Sequence, residues 1–470
     1  MSDHQYSPAA FEPTLSKRFF IANGYELACY QRDGGYQALR SVLQLDPNEI
    51  ITTVKQANLR GRGGAGFPTG VKWDFVPKQT DKAKYLIVNA DESEPGTFKD
   101  RYILSRDPHA LLEGAAIAAY AIGANDIYIY IRGEFTKPYT RILAAIKEAY
   151  NAKIFGDAVM GTRFKLNCHV HRGAGAYICG EETSLLESLE GKIGRPRLKP
   201  PFPAIVGAFG GPTIINNVET LACVPLIFAR GVDWFLTQGL PHNGGPKLAS
   251  VSGHIKRPGV YEVPSGYPIN ELIELAGGVW KGRQLKAVIP GGSSTPVLVP
   301  RPCQALADNA PQQKVTSFAP PQKSVEHWPL ETQAPLDFDG IKKVGSLLGS
   351  AGMIVLDDTT CMVRVLLNLA EFYAHESCGQ CTPCREGTGW IAKMLRRLEI
   401  GKGSHTDLAT LSDTVTFMTS TTICPLADAI AIPARSYFDK FKDEFYEHIG
   451  KTCWFPDAEI APSGNTTWED

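Results

Sequence analysis

Cys378, Cys381 and Cys384 stand at Cys-x2-Cys-x2-Cys spacing, and Cys424, followed by Pro425, lies forty residues beyond Cys384. Three thiolates this close can each take a different iron of a cubane while a remote Cys-Pro supplies the fourth ligand, as in bacterial ferredoxin-type ligation. Zinc also accepts four thiolates, but its sites usually present two separated Cys-x2-Cys pairs rather than three plus one. The expectation is a [4Fe-4S] cluster on Cys378, Cys381, Cys384 and Cys424, with Cys361 the first substitute should Cys424 not serve. The other cysteines, Cys29, Cys168, Cys179, Cys223, Cys303, Cys361 and Cys453, are scattered singly. They read as reduced core thiols of a cytoplasmic chain.

A second constellation is the run Gly61, Arg62, Gly63, Gly64, Ala65, Gly66, Phe67, Pro68, Thr69, Gly70, with Lys72 and Phe75 just beyond. Glycines at this density let a backbone take positive φ and lie against a flat or phosphorylated ligand, and Lys72 would neutralise a phosphate there. Gly61, Gly63 and Gly66 match G-x-G-x-x-G, but a helix over residues 46–57 precedes them where a dinucleotide fingerprint has a strand. A tight surface turn is the plainer alternative. Asn89, Asp91, Glu92 and Glu94 follow an apolar run of strand length at residues 84–89, the end of a strand where open α/β sheets bind ligands. The turn holding Tyr177, Gly180, Glu181 and Glu182 links a strand to a helix over 181–189 and would point amides at an anion. Lys199 and Phe202 lie in a stiff, basic, proline-rich rim, and Asn216, Asn217 and Thr220 open an apolar helix.

The elements that must position these residues alternate: helix 108–122, strand 127–131, helix 139–150, strand 164–171. That order implies βαβ units and a parallel sheet. The 470 residues are too many for one ordinary core. The expected organisation is an N-terminal arm (1–45), an α/β nucleotide domain (46–245), a small α+β domain (246–335) and a helical bundle (336–470). Short strands near 250–253, 259–261 and 287–289 around a helix over 269–276 suggest that the small domain is a mixed α+β unit. Residues 301–336, rich in Pro and Gln, read as an insertion. Forty-eight basic against 49 acidic residues argue against bulk nucleic-acid binding. No secretory signal is evident, and the longest apolar run, residues 115–124, falls short of a membrane span.

A nucleotide-type loop and an iron–sulfur cluster in one chain suggest electron transfer between a two-electron carrier and one-electron centres, for which flavin is the usual intermediary. The sequence resembles the NADH-binding flavoprotein subunit of respiratory complex I across residues 24–450. The blocks that carry the resemblance are 61–73, 89–97, 177–183, 216–220 and 376–387. It implies an α/β, Rossmann-like domain, a small domain that is ubiquitin-like and of the soluble-ligand-binding β-grasp class, and noncovalent FMN held by Gly61, Gly63, Lys72, Asn89, Asp91, Glu92, Tyr177, Gly180, Glu181, Asn216, Asn217 and Thr220. It implies NADH stacked by Phe67, Phe75 and Phe202, with Glu94, Glu182 and Lys199 on its polar groups. No general acid or base is expected, since hydride passes directly from nicotinamide to flavin. The resemblance further implies two partners, a thioredoxin-like [2Fe-2S] subunit and a large multi-cluster subunit, and a cytoplasmic place at the inner face of the membrane held through other subunits. The nearest alternative is the diaphorase subunit of a soluble NAD-linked hydrogenase or formate dehydrogenase. From another class comes a nonenzymatic, zinc-stabilised nucleotide-binding module.

Overall fold

The computed structural model describes residues 7–9, 11–301 and 330–456. Its larger sheet holds four parallel strands, β1 (Tyr85–Ala90), β2 (Asp126–Ile131), β3 (Asn167–Arg172) and β4 (Thr213–Asn217), in the order β3-β2-β1-β4. Leu86, Ile87 and Val88 are all fully buried, as a strand covered on both faces requires. The helix Pro108–Ile122 is apolar almost all round and nearly every side chain on it is buried. It packs so closely on the helix Val218–Arg230 that a Cβ at Gly114 would fall 1.9 Å from the Leu221 carbonyl oxygen. This is the long apolar run of the sequence, and it is a core helix. No helix of the described residues is long and apolar enough to cross a membrane.

Strand β4 and the helix Asp100–Arg106 are absent from the sequence reading, and each has a physical reason. Asn217 ends β4 and at once caps the next helix, its Oδ1 accepting from the N–H groups of Glu219 and Thr220 at 3.0 and 3.3 Å. With no loop between them, strand and helix read as one helical start. The helix Asp100–Arg106 takes its cap from outside, the Glu92 carboxylate accepting from the N–H groups of Asp100 and Arg101 at 2.8 and 3.1 Å.

The smaller sheet runs β6 (Gly259–Pro264), β5 (Pro246–Gly253), β8 (Gly352–Asp357), β7 (Leu285–Ile289). Its central pair is parallel and both outer strands are antiparallel to their neighbours. The helix Ile269–Leu275 shares a buried cluster with Val251, Tyr261, Val263 and Met353. This is the β-grasp arrangement, and it takes its fourth strand from beyond residue 335, where the helical part was expected to begin. The N-terminal arm is more ordered than its irregular sequence suggests. Helices Leu27–Arg32 and Gln37–Val42 join the main core, and buried Glu262 accepts from the N–H groups of Thr14, Leu15 and Ser16 at 2.8, 2.9 and 2.7 Å. Helices Met362–Glu376, Thr382–Glu399, His405–Met418 and Leu426–Lys440 form the C-terminal bundle, which shares a buried cluster with Ile87 and Ile215 of the larger sheet. Most of the Pro/Gln-rich insertion, with Cys303, lies outside the described residues.

Candidate functional site

The chain adds β2 and then β3 on one side of β1 and returns to place β4 on the other, so the strand order reverses between β1 and β4. Ligands of open α/β sheets bind outside the carboxyl ends of the strands at such a point. Asn89 and Asn217 are paired in register there. A cavity of about 680 Å³ opens beside them. Arg62, Gly63, Gly64, Ala65, Asn89, Asp91, Glu92, Glu94, Tyr177, Gly180, Glu181 and Asn217 line it on the α/β side. The connection between β7 and β8 of the β-grasp unit adds Gly291, Ser294, Phe338 and Ser350, and the bundle adds Cys424, Leu426 and Ile432.

The glycine loop is a closed turn, Gly61 N–H donating to the Phe67 carbonyl at 2.9 Å. Gly64 has φ of +130° and nothing within 4 Å of where a Cβ would stand, so its bare backbone faces open space. Gly66 has φ of +64° and a Cβ there would meet the Phe338 ring at 2.5 Å. The Arg62 guanidinium has its own partners: the side chain is fully buried and its Nη2 donates to the Gly244 and Pro246 carbonyls at 2.8 and 3.2 Å, fastening the loop to the edge of β5. Thr220 Oγ1 accepts from Arg62 N–H at 2.8 Å, and Asn216 Oδ1 accepts from Trp73 Nε1 at 2.8 Å. Gly70 gives room to Lys55, whose amide nitrogen lies 2.6 Å from the built Cβ. Thr220, Asn216 and Gly70 thus build the loop without lining the cavity, and Arg62 lines it while its guanidinium anchors the loop.

The three acidic side chains after β1 differ in role. Asp91 accepts from Ser93 Oγ at 2.8 Å through Oδ1, while its Oδ2 is buried without a partner. Burial pushes its carboxyl up to about 7. Glu92 caps a helix as described, and burial, with Asp100 adding to it, likewise raises it to about 7. Glu94 ties three parts together: Tyr177 OH donates to one oxygen at 2.7 Å, and Ser294 N–H to the other at 2.7 Å. An acid with a raised folded-state pKa destabilises the fold only where it is charged; the cost of Asp91 is absent well below pH 4 and complete above about pH 7. Flavin-depleted Asp91→Asn protein is therefore expected to melt about 2 °C or more above wild type at pH 8, with the gain shrinking toward pH 5, as read by calorimetry.

Lys72, Glu182 and Lys199 are not among the residues lining the cavity; Lys72 Nζ donates to Glu182 Oε2 and to the Ile215 carbonyl, both at 2.9 Å, and Lys199 Nζ donates to Glu182 Oε1 at 2.8 Å. Burial alone would raise Glu182, but Lys72 and Lys199 outweigh it and hold the carboxyl down at about 2. Glu181 caps the helix Glu182–Leu189, its Oε2 accepting from the N–H groups of Thr183 and Ser184. Phe67 and Phe75 are exposed with ring centres 6.0 Å apart, and Phe202 is exposed on the proline-rich rim.

The four cysteines of the metal motif line one cleft with Ile178, Pro196 and Leu426. Cys378 follows the helix Met362–Glu376, Cys381 caps the helix Thr382–Glu399, and Cys384 lies in its first turn. Gly379, at φ of +74°, makes the turn between the first two, and Arg385 Nη1 donates to its carbonyl at 2.9 Å. Cys424 precedes the helix Leu426–Lys440 and lines both the cleft and the cavity, as do Ile178 and Leu426. Burial pushes the free Cys424 thiol up to about 12 and Cys384 upward as well. Such sulfurs hold their negative charge in the company of a bound cation. Cys361 is not in the cleft lining. Tyr177 N–H donates to Glu376 Oε2 at 2.9 Å, locking the turn of the cavity to the helix end that carries the cluster motif. Glu376 lay within a block of the resemblance without an assigned role. Ser294 was missed outright, although Gly291-Gly292 at the end of β7 signals a turn of that kind.

An orphaned carboxylate oxygen and bare glycine backbone suit a nucleotide-type ligand, and four thiols on one cleft suit a cubane. Placed one layer of side chains apart, they define an oxidoreductase module that carries a flavin and an iron–sulfur cluster. The family profile of the Nuo51 FMN-binding domain matches residues 54–226, that of the SLBB domain 248–298, and that of the NADH-ubiquinone oxidoreductase-F iron-sulfur binding region 364–448. The chain is 49% identical to the second F-type subunit of the NADH-quinone oxidoreductase of Rhizobium meliloti, covering 93% of this chain and 98% of the relative. It is 44% identical to the F-type subunit of the NADH-quinone oxidoreductase of Streptomyces coelicolor, covering 97% and 95%. Among solved structures it resembles a chain of an NAD+-reducing [NiFe]-hydrogenase in the H2-reduced state, at TM-score 0.75 and 36% identity over 88% of this chain but only 65% of that one. The chain belongs to the family of F-type subunits of NADH-quinone oxidoreductase.

Proposed function

We propose that the cavity at the carboxyl ends of β1 and β4 holds FMN, that NADH is received at the mouth beside Phe67, Phe75 and Phe202, and that Cys378, Cys381, Cys384 and Cys424 carry the [4Fe-4S] cluster. Bound flavin supplies an acceptor that takes a hydride and releases electrons singly. The observation that carries the reading is the wall common to cavity and cleft, made by Ile178, Cys424 and Leu426. A cluster ligand that also lines the flavin cavity keeps the path out of the site short.

In this reading the chain's own groups position and select. The backbone of Gly63 and Gly64 gives close approach to the ligand, and the unpartnered Asp91 Oδ2 accepts a hydrogen bond from it. Asn89 and Asn217 present amides at the switch point, Asn217 being oriented by donation from its Nδ2 to Asp100 Oδ2 at 2.6 Å. Lys72 supplies the positive charge for the phosphate. The purified chain should contain one FMN and four iron per polypeptide and reduce ferricyanide with NADH. Zinc in place of iron with no flavin would overturn the assignment.

Glu182 is the discriminating group for NADH over NADPH in this reading. It occupies Lys72 and Lys199, and its carboxylate repels a 2′-phosphate while accepting hydrogen bonds from ribose hydroxyls. Glu182→Gln removes that repulsion and takes from Lys199 its closer carboxylate partner, so that ammonium can turn toward the 2′-phosphate. The expected result is about a tenfold or larger rise in the NADPH:NADH ratio of kcat/KM, since each tenfold needs only about 1.4 kcal/mol. An unchanged ratio moves the role to a neighbour.

The assignment extends to partners: a thioredoxin-like [2Fe-2S] subunit and a large multi-cluster subunit that take electrons onward, with membrane contact only through other subunits, on the cytoplasmic face. Family membership supports it, as does Ile423, which is exposed beside Cys424 and lines the cluster cleft.

A further inference from the structure

We propose that Cys361, Glu399, His448 and Cys453 form a second metal site, for a divalent ion of the zinc class, distinct from the cluster cysteines. One ligand atom from each lies within 4.8 Å of the other three. Cys361 Sγ is 3.4 Å from His448 Nε2 and 3.9 Å from Glu399 Oε2, and His448 Nε2 is 3.9 Å from Glu399 Oε2. Bonds of about 2.0–2.3 Å in a tetrahedron put neighbouring ligand atoms about 3.3–3.8 Å apart. The three separations need shift by only tenths of an ångström to become edges of such a site.

The surroundings orient each donor as metal sites do. His448 Nδ1 lies 2.7 Å from the Glu444 carbonyl oxygen. A carbonyl only accepts, so Nδ1 carries the proton and Nε2 turns its lone pair toward Cys361 and Glu399, the usual outer support of a ligating histidine. Arg364 Nε donates to Glu399 Oε1 at 2.7 Å, fixing that carboxylate with Oε2 turned inward, and Arg364 N–H donates to Cys361 Sγ at 3.3 Å. Trp454 covers the imidazole, ring centres 4.6 Å apart. Cys361 and His448 are buried and the other two half-buried. Two thiols, an imidazole and a carboxylate make a borderline-soft set suited to zinc rather than to magnesium or calcium. Binding would release the two thiol protons to solvent, and the guanidinium of Arg364 would offset the remaining negative charge.

The site lies at the far ends of the two helices that carry the cluster motif. Cys361 caps the helix Met362–Glu376, which runs to Cys378, and Glu399 ends the helix Thr382–Glu399, which begins at Cys381. Fifteen to eighteen residues of helix put the two sites roughly 20–27 Å apart. The role is therefore a staple: the ion pins the segment at 448–453 across both helices and holds their register at the cluster end.

The test uses the full chain carrying its flavin and cluster. Elemental analysis should find about one zinc per chain beyond the iron, and zinc K-edge absorption should resolve two sulfur neighbours at about 2.3 Å and two nitrogen or oxygen neighbours at about 2.0–2.2 Å. Cys453→Ser and His448→Gln should each cut zinc at least fivefold while FMN and iron stay near wild type. Failure of the wild-type chain to hold zinc even after incubation with Zn2+, a Cys361–Cys453 disulfide in non-reduced peptides, or zinc retained in both variants would overturn it. The wild-type measurement stands even if a variant fails to fold.

Discussion

Cys424→Ala is expected to leave NADH:ferricyanide activity near wild type and to bring NADH:quinone activity of the assembled complex down to background. In the proposed assignment the hydride-accepting site rests mainly on the α/β unit and needs no cluster to accept a hydride, and ferricyanide takes electrons from reduced flavin directly. The substitution leaves one iron without its protein thiolate, so the cluster becomes labile. Because Cys424 also lines the cavity, FMN content is measured alongside to separate loss of cluster from loss of flavin. A retained tetranuclear EPR signal with normal quinone reduction would show that Cys424 is not the ligand. Cys361, the substitute that the sequence offers, is poorly placed to replace it: it sits with His448 and Glu399, outside the cleft.

The second large effect is expected at Lys72. Its ammonium spans Glu182 and the carbonyl of Ile215, midway along β4, so it is held in place before any ligand arrives. Removing a charged hydrogen-bond donor costs about 1.5–3 kcal/mol, and Lys72→Met should weaken FMN binding about 10- to 100-fold. Flavin should wash out on gel filtration while iron stays near wild type. Full retention of flavin would sink the assignment of Lys72 to the phosphate.

What could be read from the sequence was what depends on local spacing. The cysteine triplet, the glycine loop and the turn at 177–183 each announce themselves within a dozen residues, and the structure brings all three to one place. What could not be read depends on distant partners. The strand at Gly352–Asp357 pairs in parallel with a strand a hundred residues earlier, which no periodicity reveals, so the β-grasp unit looked shorter than it is. The helix Asp100–Arg106 is capped by Glu92 from across a loop. Arg62 looked like part of a ligand loop, yet its guanidinium anchors that loop to the Gly244 and Pro246 carbonyls. Cys361 and Cys453, 92 residues apart in sequence, read as unrelated core thiols until the fold set both beside His448.

The most direct test of the account is low-temperature EPR on the purified chain, reduced anaerobically by NADH while flavin absorbance is followed. The central claim is that the cavity and the cysteine cleft, sharing the wall of Ile178, Cys424 and Leu426, work as one path. It predicts that NADH bleaches the flavin and that a reduced tetranuclear signal grows with it, lost in Cys424→Ala. Bleached flavin beside a tetranuclear cluster that dithionite reduces but NADH never does would contradict it.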